Sequence, residues 1–187
     1  MKPFKVIGIG CSPRMESNSD ILVRAVLAAA VDNGAATEFV KIADHDISPC
    51  DACWRCAETG ECHIHDDMQS IYAGLLQADG IVIGSPVHMG HSISGNAQVF
   101  LDRTFSLWHH KRLKNKVGGS VAVANRRGGI SAVRIINDVF LDQQILVAGY
   151  VTGYARAPGD IHKDARAFKE AGDLGKRMHE VMVSIRK

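Results

Sequence analysis

The sequence lacks both an excess of charge of one sign and a long apolar run. Its 22 lysines and arginines nearly balance its 20 aspartates and glutamates, and the net charge of +2 is too small to predict nucleic-acid binding. No apolar run approaches the roughly 20 residues that a membrane span requires. The start of the chain lacks the long apolar core and small-residue cleavage site of a secretory signal. We therefore expect a cytoplasmic protein that binds neither nucleic acid nor a membrane.

Two phosphate-binding fingerprints are also missing. Gly8 and Gly10 are followed by Pro13, so the dinucleotide pattern G-x-G-x-x-G is not met. The pattern G-x-x-x-x-G-K is absent as well, which disfavours a nucleoside triphosphate as ligand. The chain has no repeat, low-complexity segment or linker. Residues 1–187 are therefore expected to form a single domain, large enough to fold without a disulfide or a metal.

Apolar, β-branched runs alternate with stretches of helical spacing five times along the chain. This alternation predicts an α/β fold, a doubly wound parallel sheet of five strands in the order 2-1-3-4-5. In such sheets a ligand binds beyond the carboxyl ends of the strands, near the switch between strands 1 and 3. The predicted strands are 4–10, 37–42, 78–84, 118–124 and 144–151. The first predicted helix is capped by Asn18 or Ser19 and ends near Gly34, and the others cover 66–76, 96–107, 130–142 and 163–186.

The loop after the first strand, residues 11–19, reads C-S-P-R-M-E-S-N-S. It combines hydroxyls, an amide, a guanidinium and the free backbone N–H groups of a helix start, which together suit a phosphate dianion. A polar turn that only caps the helix explains part of the same pattern. The candidate phosphate-binding residues are Ser12, Arg14, Ser17, Asn18 and Ser19.

Two further loops are expected at the same edge of the sheet. Residues 85–95 read S-P-V-H-M-G-H-S-I-S-G, in which Pro86 stiffens the backbone and His88 and Met89 can pack against a planar ring. Residues 125–129 read N-R-R-G-G and offer an amide and backbone N–H groups to a carbonyl or ring nitrogen. Each loop alone has an ordinary interpretation, as a βα connection or a glycine turn. The prediction of a bound ligand rests on the three loops together.

Four of the five cysteines lie within thirteen residues, in a segment, 43–65, that is expected to be an insert without regular structure. Their spacing C-x2-C-x2-C-x5-C favours a [4Fe–4S] cluster, because compact runs of this kind hold such clusters. Structural zinc more often uses two C-x2-C pairs with a long spacer. Zinc, to which His63 and His65 can contribute, and free redox-active thiols stay open as alternatives. The four candidate ligands are Cys50, Cys53, Cys56 and Cys62.

These motifs resemble those of the flavodoxin-like NADPH-dependent FMN reductases, and in particular the iron–sulfur flavoproteins of anaerobic prokaryotes. The resemblance rests on the three loops, on the cysteine spacing followed by Asp66-Asp67-Met68, and on Phe100, Asp102 and Arg103 downstream. It implies a flavodoxin-like fold and FMN as cofactor, with the flavin phosphate on the first loop. It also implies that Ser85, Pro86, Val87, His88 and Met89 flank the isoalloxazine and ribityl chain, and that Asn125, Arg126, Gly128 and Gly129 touch the flavin ring edge.

The resulting hypothesis is an FMN-binding electron-transfer flavoprotein, an oxidoreductase that passes electrons between a one-electron donor and a small-molecule acceptor. The flavin carries the chemistry, so no catalytic side chain is predicted. Ferredoxin is a candidate partner and NAD(P)H a candidate co-substrate. Because the cysteine insert follows strand 2, the cluster of one subunit is expected near the flavin of a neighbour, in a homodimer or homotetramer. The alternatives are an NAD(P)H-dependent FMN or quinone reductase without a cluster, and a non-enzymatic zinc or thiol redox-sensing module.

Overall fold

The centre of the molecule is a parallel sheet of five strands in the order β2-β1-β3-β4-β5. The structure is a computed structural model and describes residues 2–186. The strands are β1 (Lys5–Gly10), β2 (Ala36–Lys41), β3 (Gly80–Pro86), β4 (Val117–Ala124) and β5 (Leu146–Tyr154). Gly10 of β1 lies opposite Gly84 of β3, and the strand order reverses between these two strands. The predicted α/β class and strand order are confirmed, and the carboxyl ends of β1 and β3 flank the expected crevice.

Helices cover both faces of the sheet. They are α1 (Asn18–Asp32), α2 (Arg55–Thr59), α3 (Met68–Gln77), α4 (Gly95–Arg103), α5 (Phe105–Trp108), α6 (Gly129–Asp142) and α7 (Ala165–Ile185). Because successive strand residues point to opposite sides, Val6 and Val82 pack with α1 and α7, whereas Ile7 and Ile81 pack with α3, α4 and α6. Within residues 2–186, no helix is both long and apolar enough to cross a bilayer.

Helix α1 is capped by Ser17, and not by Asn18 or Ser19 as predicted. Ser17 has an extended backbone, and its Oγ accepts a hydrogen bond from the Asp20 N–H at 3.2 Å. A serine in this position satisfies one of the free N–H groups of the first turn. Asn18 and Ser19 therefore lie inside the helix.

The stretch predicted as one helix over 96–107 is two helices, α4 and α5, which meet at Thr104. Thr104 Oγ1 donates to the Leu101 carbonyl at 2.7 Å, a local bond that competes with continuation of the helix. The cysteine insert also differs from the prediction, because it contains the short helix α2, which ends at Gly60 with a φ of 74°. Both differences are local and leave the sheet topology unchanged.

Candidate functional site

The loops after β1, β3 and β4 are tied together at the carboxyl edge of the sheet. The Cys11 N–H donates to the Gly84 carbonyl at 2.9 Å, and the Val87 N–H donates to the Val123 carbonyl at 2.8 Å. Ser94 Oγ donates to the Cys11 carbonyl at 2.7 Å. Each bond joins residues at the ends of neighbouring strands or in the loops that follow them. The structure thus brings the three loops singled out in the sequence into one crevice.

The first loop presents buried hydroxyls at the start of α1. Ser12 Oγ accepts from the Arg14 N–H at 3.2 Å, and the Oγ atoms of Ser17 and Ser19 lie 2.9 Å apart. All three serines are buried. Because α1 is 15 residues long, its free N–H groups and dipole favour an anion at this end. Hydroxyl and backbone donors of this kind fit the phosphate of a mononucleotide.

The Asn18 side chain is engaged within the protein. Its Nδ2 donates to the Ala157 carbonyl at 2.8 Å, and its Oδ1 accepts from the Ile161 N–H at 3.2 Å. These bonds fasten the segment after β5 to the first turn of α1. Any contribution of Asn18 to phosphate binding would therefore come from its backbone N–H, one of the free groups of the helix start.

Charged side chains around the first loop leave it suited to an anion. The Lys41 Nζ lies 2.7 Å from Asp20 Oδ2, with both side chains largely buried, and it also donates to the Arg14 carbonyl. This ion pair offsets the one carboxylate in the first turn of α1, which would otherwise repel an anion. The exposed Arg14 guanidinium donates to the Arg156 carbonyl at 3.2 Å and adds positive charge beside the loop.

Ser85 supports the base of the second loop. Its Oγ accepts from the Ser94 N–H at 2.9 Å and donates to the Pro86 carbonyl at 2.9 Å. Ser94 Oγ in turn accepts from the Ala97 N–H at 3.2 Å and caps α4. Both serines are buried. The Ser85 hydroxyl therefore holds the loop in shape, and its place beside the flavin stays a prediction.

The tip of the second loop is a tight, exposed turn. The His88 N–H donates to the Ser92 carbonyl at 2.8 Å. Met89 has a φ of 52°, Gly90 a φ of 75°, and the Met89 side chain is 86% exposed. His88 is exposed as well. Both side chains are therefore available to contact a planar ring.

The third loop packs against the second through glycine backbone, and the two loops enclose a cavity. Gly128 has a φ of 93° and lies against the Gly90 carbonyl. The cavity has a volume of about 650 Å³, within the usual range for small-molecule sites. Its lining residues are Val87, Met89, Gly90, Asn125, Arg126, Arg127 and Arg156.

Two of the three arginines in this cavity, Arg127 and Arg156, were not singled out by the sequence analysis. Arg156 follows β5, and in a parallel sheet the carboxyl end of every strand lies at the same edge, so its position was a usable signal. Arg127 packs on the second loop, since a β-carbon on Gly90 would lie 3.2 Å from Arg127 Nε. Together with Arg126, these side chains make the cavity cationic and suit it to an anionic ligand.

The four clustered cysteines lie on the insert at different depths. Cys50 and Cys53 are exposed, whereas Cys56 and Cys62 are half-buried. Burial raises the pKa of the Cys56 thiol, and the other three cysteines raise it further because nearby thiolates disfavour its charge.

The backbone of the cysteine segment is bent around Cys53. Ala52 and Trp54, on either side of it, have φ values of 54° and 60°. Non-glycine residues rarely adopt this conformation, and such residues occur at ligand-binding loops. Four thiols on one short, sharply curved loop are the type and number of donors that an iron–sulfur cluster requires.

A second donor set shares Cys53. Donor atoms of Asp51, Cys53 and His63 all lie within 4.8 Å of one another, and His63 Nε2 is 2.8 Å from Asp51 Oδ2. Hydrogen bonds from Cys53 and His63 lower the pKa of the exposed Asp51 carboxyl. Sulfur, imidazole and carboxylate donors suit zinc. His63 and His65 were predicted zinc candidates, whereas no local motif pointed to Asp51.

Trp54 packs on aromatic residues of α5 and the residue after it. Its ring centroid lies 5.3 Å from that of Phe105, edge to face, and 5.5 Å from that of His109. The side chain is nevertheless 60% exposed. It lines an open groove of about 560 Å³ together with Cys50 and Trp108. Trp54 therefore borders the cysteines at the surface and does not enclose them.

The fold and the crevice at its switch point define a class, the flavodoxin-like oxidoreductases that bind FMN. A family profile described as NADPH-dependent FMN reductase matches residues 4–154. The chain belongs to this family, in its iron–sulfur flavoprotein branch.

Similar proteins support this assignment over the whole chain. An iron–sulfur flavoprotein of Methanocaldococcus jannaschii is 40% identical, with 98% of this chain and 100% of that protein aligned. An iron–sulfur flavoprotein of Methanosarcina thermophila is 30% identical, with 98% of each chain aligned. The crystal structure of RosB with bound 8-demethyl-8-formylriboflavin-5'-phosphate superposes with a TM-score of 0.81, over 98% of this chain and 80% of that chain. At 19% identity, that structural match shows the fold alone.

Proposed function

We propose that this FMN-dependent oxidoreductase is an electron-transfer flavoprotein that also holds a [4Fe–4S] cluster on Cys50, Cys53, Cys56 and Cys62. It would pass electrons between a one-electron donor, with ferredoxin as a candidate, and a small-molecule acceptor. The observation that carries the proposal is that the four thiols lie on one short, sharply bent loop. Relatives of similar length that are named iron–sulfur flavoproteins support it.

The residues of the crevice would bind and orient FMN. Ser12, Ser17 and Ser19 supply hydroxyls and Asn18 supplies its backbone N–H to the phosphate, with Arg14 adding positive charge. Val87, His88 and Met89 would lie along the flavin, above the support given by Ser85 and Pro86. Asn125, Arg126, Gly128 and Gly129 would meet the polar edge of the ring.

The two groups supply complementary chemistry when bound. FMN exchanges two electrons as a hydride or one electron at a time, whereas an iron–sulfur cluster exchanges one electron at a time. The chain's own part is to hold both groups and to set their surroundings. The cysteine insert lies beyond β2, at an outer edge of the sheet. We therefore also propose a homodimer or homotetramer in which the cysteines of one subunit lie near the flavin of another.

Anaerobic purification followed by an absorption spectrum and assays of iron, sulfide, zinc and FMN tests the proposal. FMN together with about four iron and four sulfide per chain supports it. FMN without iron favours the reductase without a cluster, and zinc without flavin favours the sensing module. Either of those results overturns the cluster assignment. Elution of the iron-loaded protein as a monomer in gel filtration would overturn the proposal that the cysteines of one subunit lie near the flavin of another.

A matched pair of cysteine variants sharpens this experiment. Cys56→Ser removes one proposed ligand, and we expect it to lose most of the iron while retaining FMN. Cys11→Ala is the control, because Cys11 is buried at the end of β1 and outside the cysteine insert. Equal iron contents in the two variants would argue against the ligand set.

A second candidate function, hydride transfer from NAD(P)H to FMN, is favoured by Arg127 and Arg156, which line the cavity between the flavin loops but are not among the predicted flavin contacts. Arg127 and Arg156 can pair with the phosphates of a dinucleotide. Arg127→Gln is expected to raise the KM for NADPH more than it lowers kcat. Steady-state reduction of the FMN-loaded protein measures this, and an unchanged KM would remove the support that Arg127 gives to this candidate.

A further inference from the structure

A buried ion pair lies where the two ends of the cysteine segment meet, the segment being the part of the insert between Ser48 and Ile64. Arg103, at the end of α4, meets Asp66, just before α3, through two bonds: Nη1 to Oδ2 at 2.6 Å and Nη2 to Oδ1 at 3.0 Å. The Arg103 side chain is 0% exposed and the Asp66 side chain 11%. A bidentate guanidinium–carboxylate pair fixes the relative orientation of the two side chains as well as the distance between them.

The same two side chains bind both ends of the cysteine segment. Before the first cysteine, the Ser48 N–H donates to Asp66 Oδ2 at 2.9 Å, and Arg103 Nη1 donates to the Ser48 carbonyl at 2.7 Å. After the last cysteine, Arg103 Nη2 donates to the Ile64 carbonyl at 3.3 Å. The two ends therefore meet at one guanidinium, and the four cysteines lie on the loop between them.

This closure changes what metal binding must accomplish. Bringing the ends of a flexible loop together has an entropic cost, which here is met when the domain folds. The ligands on a closed loop are restricted before the metal arrives, and a preorganised site binds more tightly for that reason. Residues around a metal site that only orient its ligands commonly change affinity by about 10–100-fold.

The Arg103 guanidinium lies beside the end of the segment that carries Cys62, because it bonds the carbonyl of Ile64, two residues further on. Burial alone would lower the pKa of the Arg103 guanidinium. Its hydrogen bond to Asp66, together with the negative charge of an ionised Tyr72 or Cys62, raises this pKa overall. The Tyr72 hydroxyl donates to the Arg103 carbonyl at 2.7 Å and holds the backbone there. Arg103 Nε is buried and has no hydrogen-bond partner among the described residues. A buried cation with one uncommitted N–H therefore lies near the last cysteine.

We propose that Arg103 and Asp66 are positioning residues for the metal-binding cysteines. They hold the two ends of the segment together before a metal binds, and the Arg103 charge stabilises the negative charge of a thiolate-bound cluster near Cys62. The inference rests on the proposed function, because it concerns the site of the proposed cluster.

Three variants separate the two effects. Arg103→Lys keeps the positive charge but loses the planar guanidinium that makes the bidentate pair, and Arg103→Gln loses both the charge and the guanidinium. Arg166→Lys makes the same change at an arginine on α7, whose Nη1 donates to both carboxylate oxygens of Glu170 and whose Nη2 donates to the Thr152 carbonyl. For each anaerobically reconstituted protein we would measure FMN and iron per chain, the rate of iron loss to a chelator, and the midpoint potential of the cluster.

We expect both Arg103 variants to lose iron about tenfold faster than the wild type or more, with FMN content unchanged. Only Arg103→Gln should also shift the midpoint potential to a more negative value, since a nearby positive charge favours the reduced cluster. Arg166→Lys should match the wild type in every measurement. Equal rates of iron loss in all four proteins would overturn the positioning role. An unchanged potential in Arg103→Gln would overturn the effect of charge.

Hydrogen exchange of the metal-free chain distinguishes a failure of this inference from a failure of the proposed function. In the wild type, amides of 46–48 and 64–68 should exchange more slowly than those of 51–54, and Arg103→Lys should remove the difference. If the wild type takes up no iron, the proposed function fails while this exchange pattern still decides whether the ion pair closes the segment. Equal exchange of the ends and the middle would overturn the closure, whether or not the Arg103 variants fold.

Discussion

A β-carbon on Gly128 would lie 2.3 Å from the carbonyl oxygen of Gly90, so the second and third loops of the crevice touch backbone to backbone. Alanine at residue 128 must therefore displace one of these loops, and it must also adopt a φ of 93°. We expect Gly128→Ala to weaken FMN binding at least about tenfold, equivalent to about 1.4 kcal/mol. Titration of FMN fluorescence on cofactor-free protein measures the change.

Gly34→Ala is the matched control for that substitution. Gly34 also has a positive φ, 87°, but no atom lies within 4 Å of the position of its β-carbon. The backbone conformation alone should destabilise this variant by about 1–2 kcal/mol, with FMN affinity unchanged. If both variants bind FMN equally weakly, the contact between the loops is not the cause.

The cap of α1 should affect the phosphate of the flavin more than its ring. Ser17→Ala removes both the cap of the helix and one buried hydroxyl of the first loop. We expect a loss of about 1 kcal/mol in stability and a larger decrease in affinity for FMN than for riboflavin, which has no phosphate. Parallel titrations with FMN and riboflavin measure the difference.

Asp164→Ala serves as the comparison for Ser17→Ala, because Asp164 caps α7 by accepting from the Ala167 N–H at 3.0 Å. It should lose a similar amount of stability without changing the ratio of FMN to riboflavin affinity. An equal change of this ratio in both variants would mean that Ser17 acts only through helix stability.

Reactivity toward a thiol reagent should divide the five cysteines of the metal-free protein. Cys11 is buried, and burial first and Asp20 second raise the pKa of its thiol, so it should react only on unfolding. The four cysteines of the insert are exposed or half-buried and should react in the folded protein. Iron loading should then protect those four. Rapid reaction of all five thiols, or no protection by iron, would contradict this assignment.

The lowered pKa of the Asp66 carboxyl leads us to expect that the folded protein loses stability in acid. Burial opposes its ionisation, but the hydrogen bonds from Arg103, Ser48 and Met68 outweigh that effect and lower its pKa below the ordinary value. A group with a lowered folded-state pKa contributes stability above its unfolded pKa of about 3.9, and this stability is lost as pH falls through the folded pKa. Urea unfolding of metal-free protein between about pH 2 and 6 should therefore show stability rising with pH.

Asp66→Asn should flatten that pH dependence, because the amide does not ionise. It should also lower stability near neutral pH, since Arg103 would then be buried without its carboxylate. Asp160→Asn is a suitable control, because Asp160 differs from Asp66 in lying at the surface. The pKa of the Asp160 carboxyl is also lowered, chiefly by its hydrogen bond to Lys163. A slope in Asp66→Asn equal to that of the wild type would show that other carboxyls dominate the acid response.

Much of the architecture could be predicted from local pattern. Apolar runs such as 4–10 and 78–84 indicated buried strands, and five strands alternating with helices fit the doubly wound order 2-1-3-4-5. The prediction of one continuous helix over 96–107 was wrong at Thr104. The hydrophobic periodicity continues through this residue, but its side chain bonds back to the Leu101 carbonyl and the helix is interrupted there. Hydrophobic spacing does not record a side-chain bond of that kind.

Some residues of the candidate site could likewise be proposed from local patterns, and others could not. The serines of the first loop, the tip residues His88 and Met89, and the four cysteines could be proposed from the sequence because each motif is continuous in the chain. Arg156 was not, since it joins the cavity only when the carboxyl end of β5 is placed beside that of β4. Asp51 escaped because its role depends on a contact with His63 across the loop.

Sequence alone thus determined the doubly wound sheet, the three loops at its carboxyl edge and the set of thiols, because hydrophobic periodicity and short motifs are local properties of the chain. Only the tertiary structure decided that Asn18 holds the segment after β5, that Gly128 lies against Gly90, and that Arg103 closes the cysteine segment with Asp66. Each of these contacts joins residues far apart in the chain. Their geometry arises only when the helices and loops pack on the sheet, which no local pattern encodes.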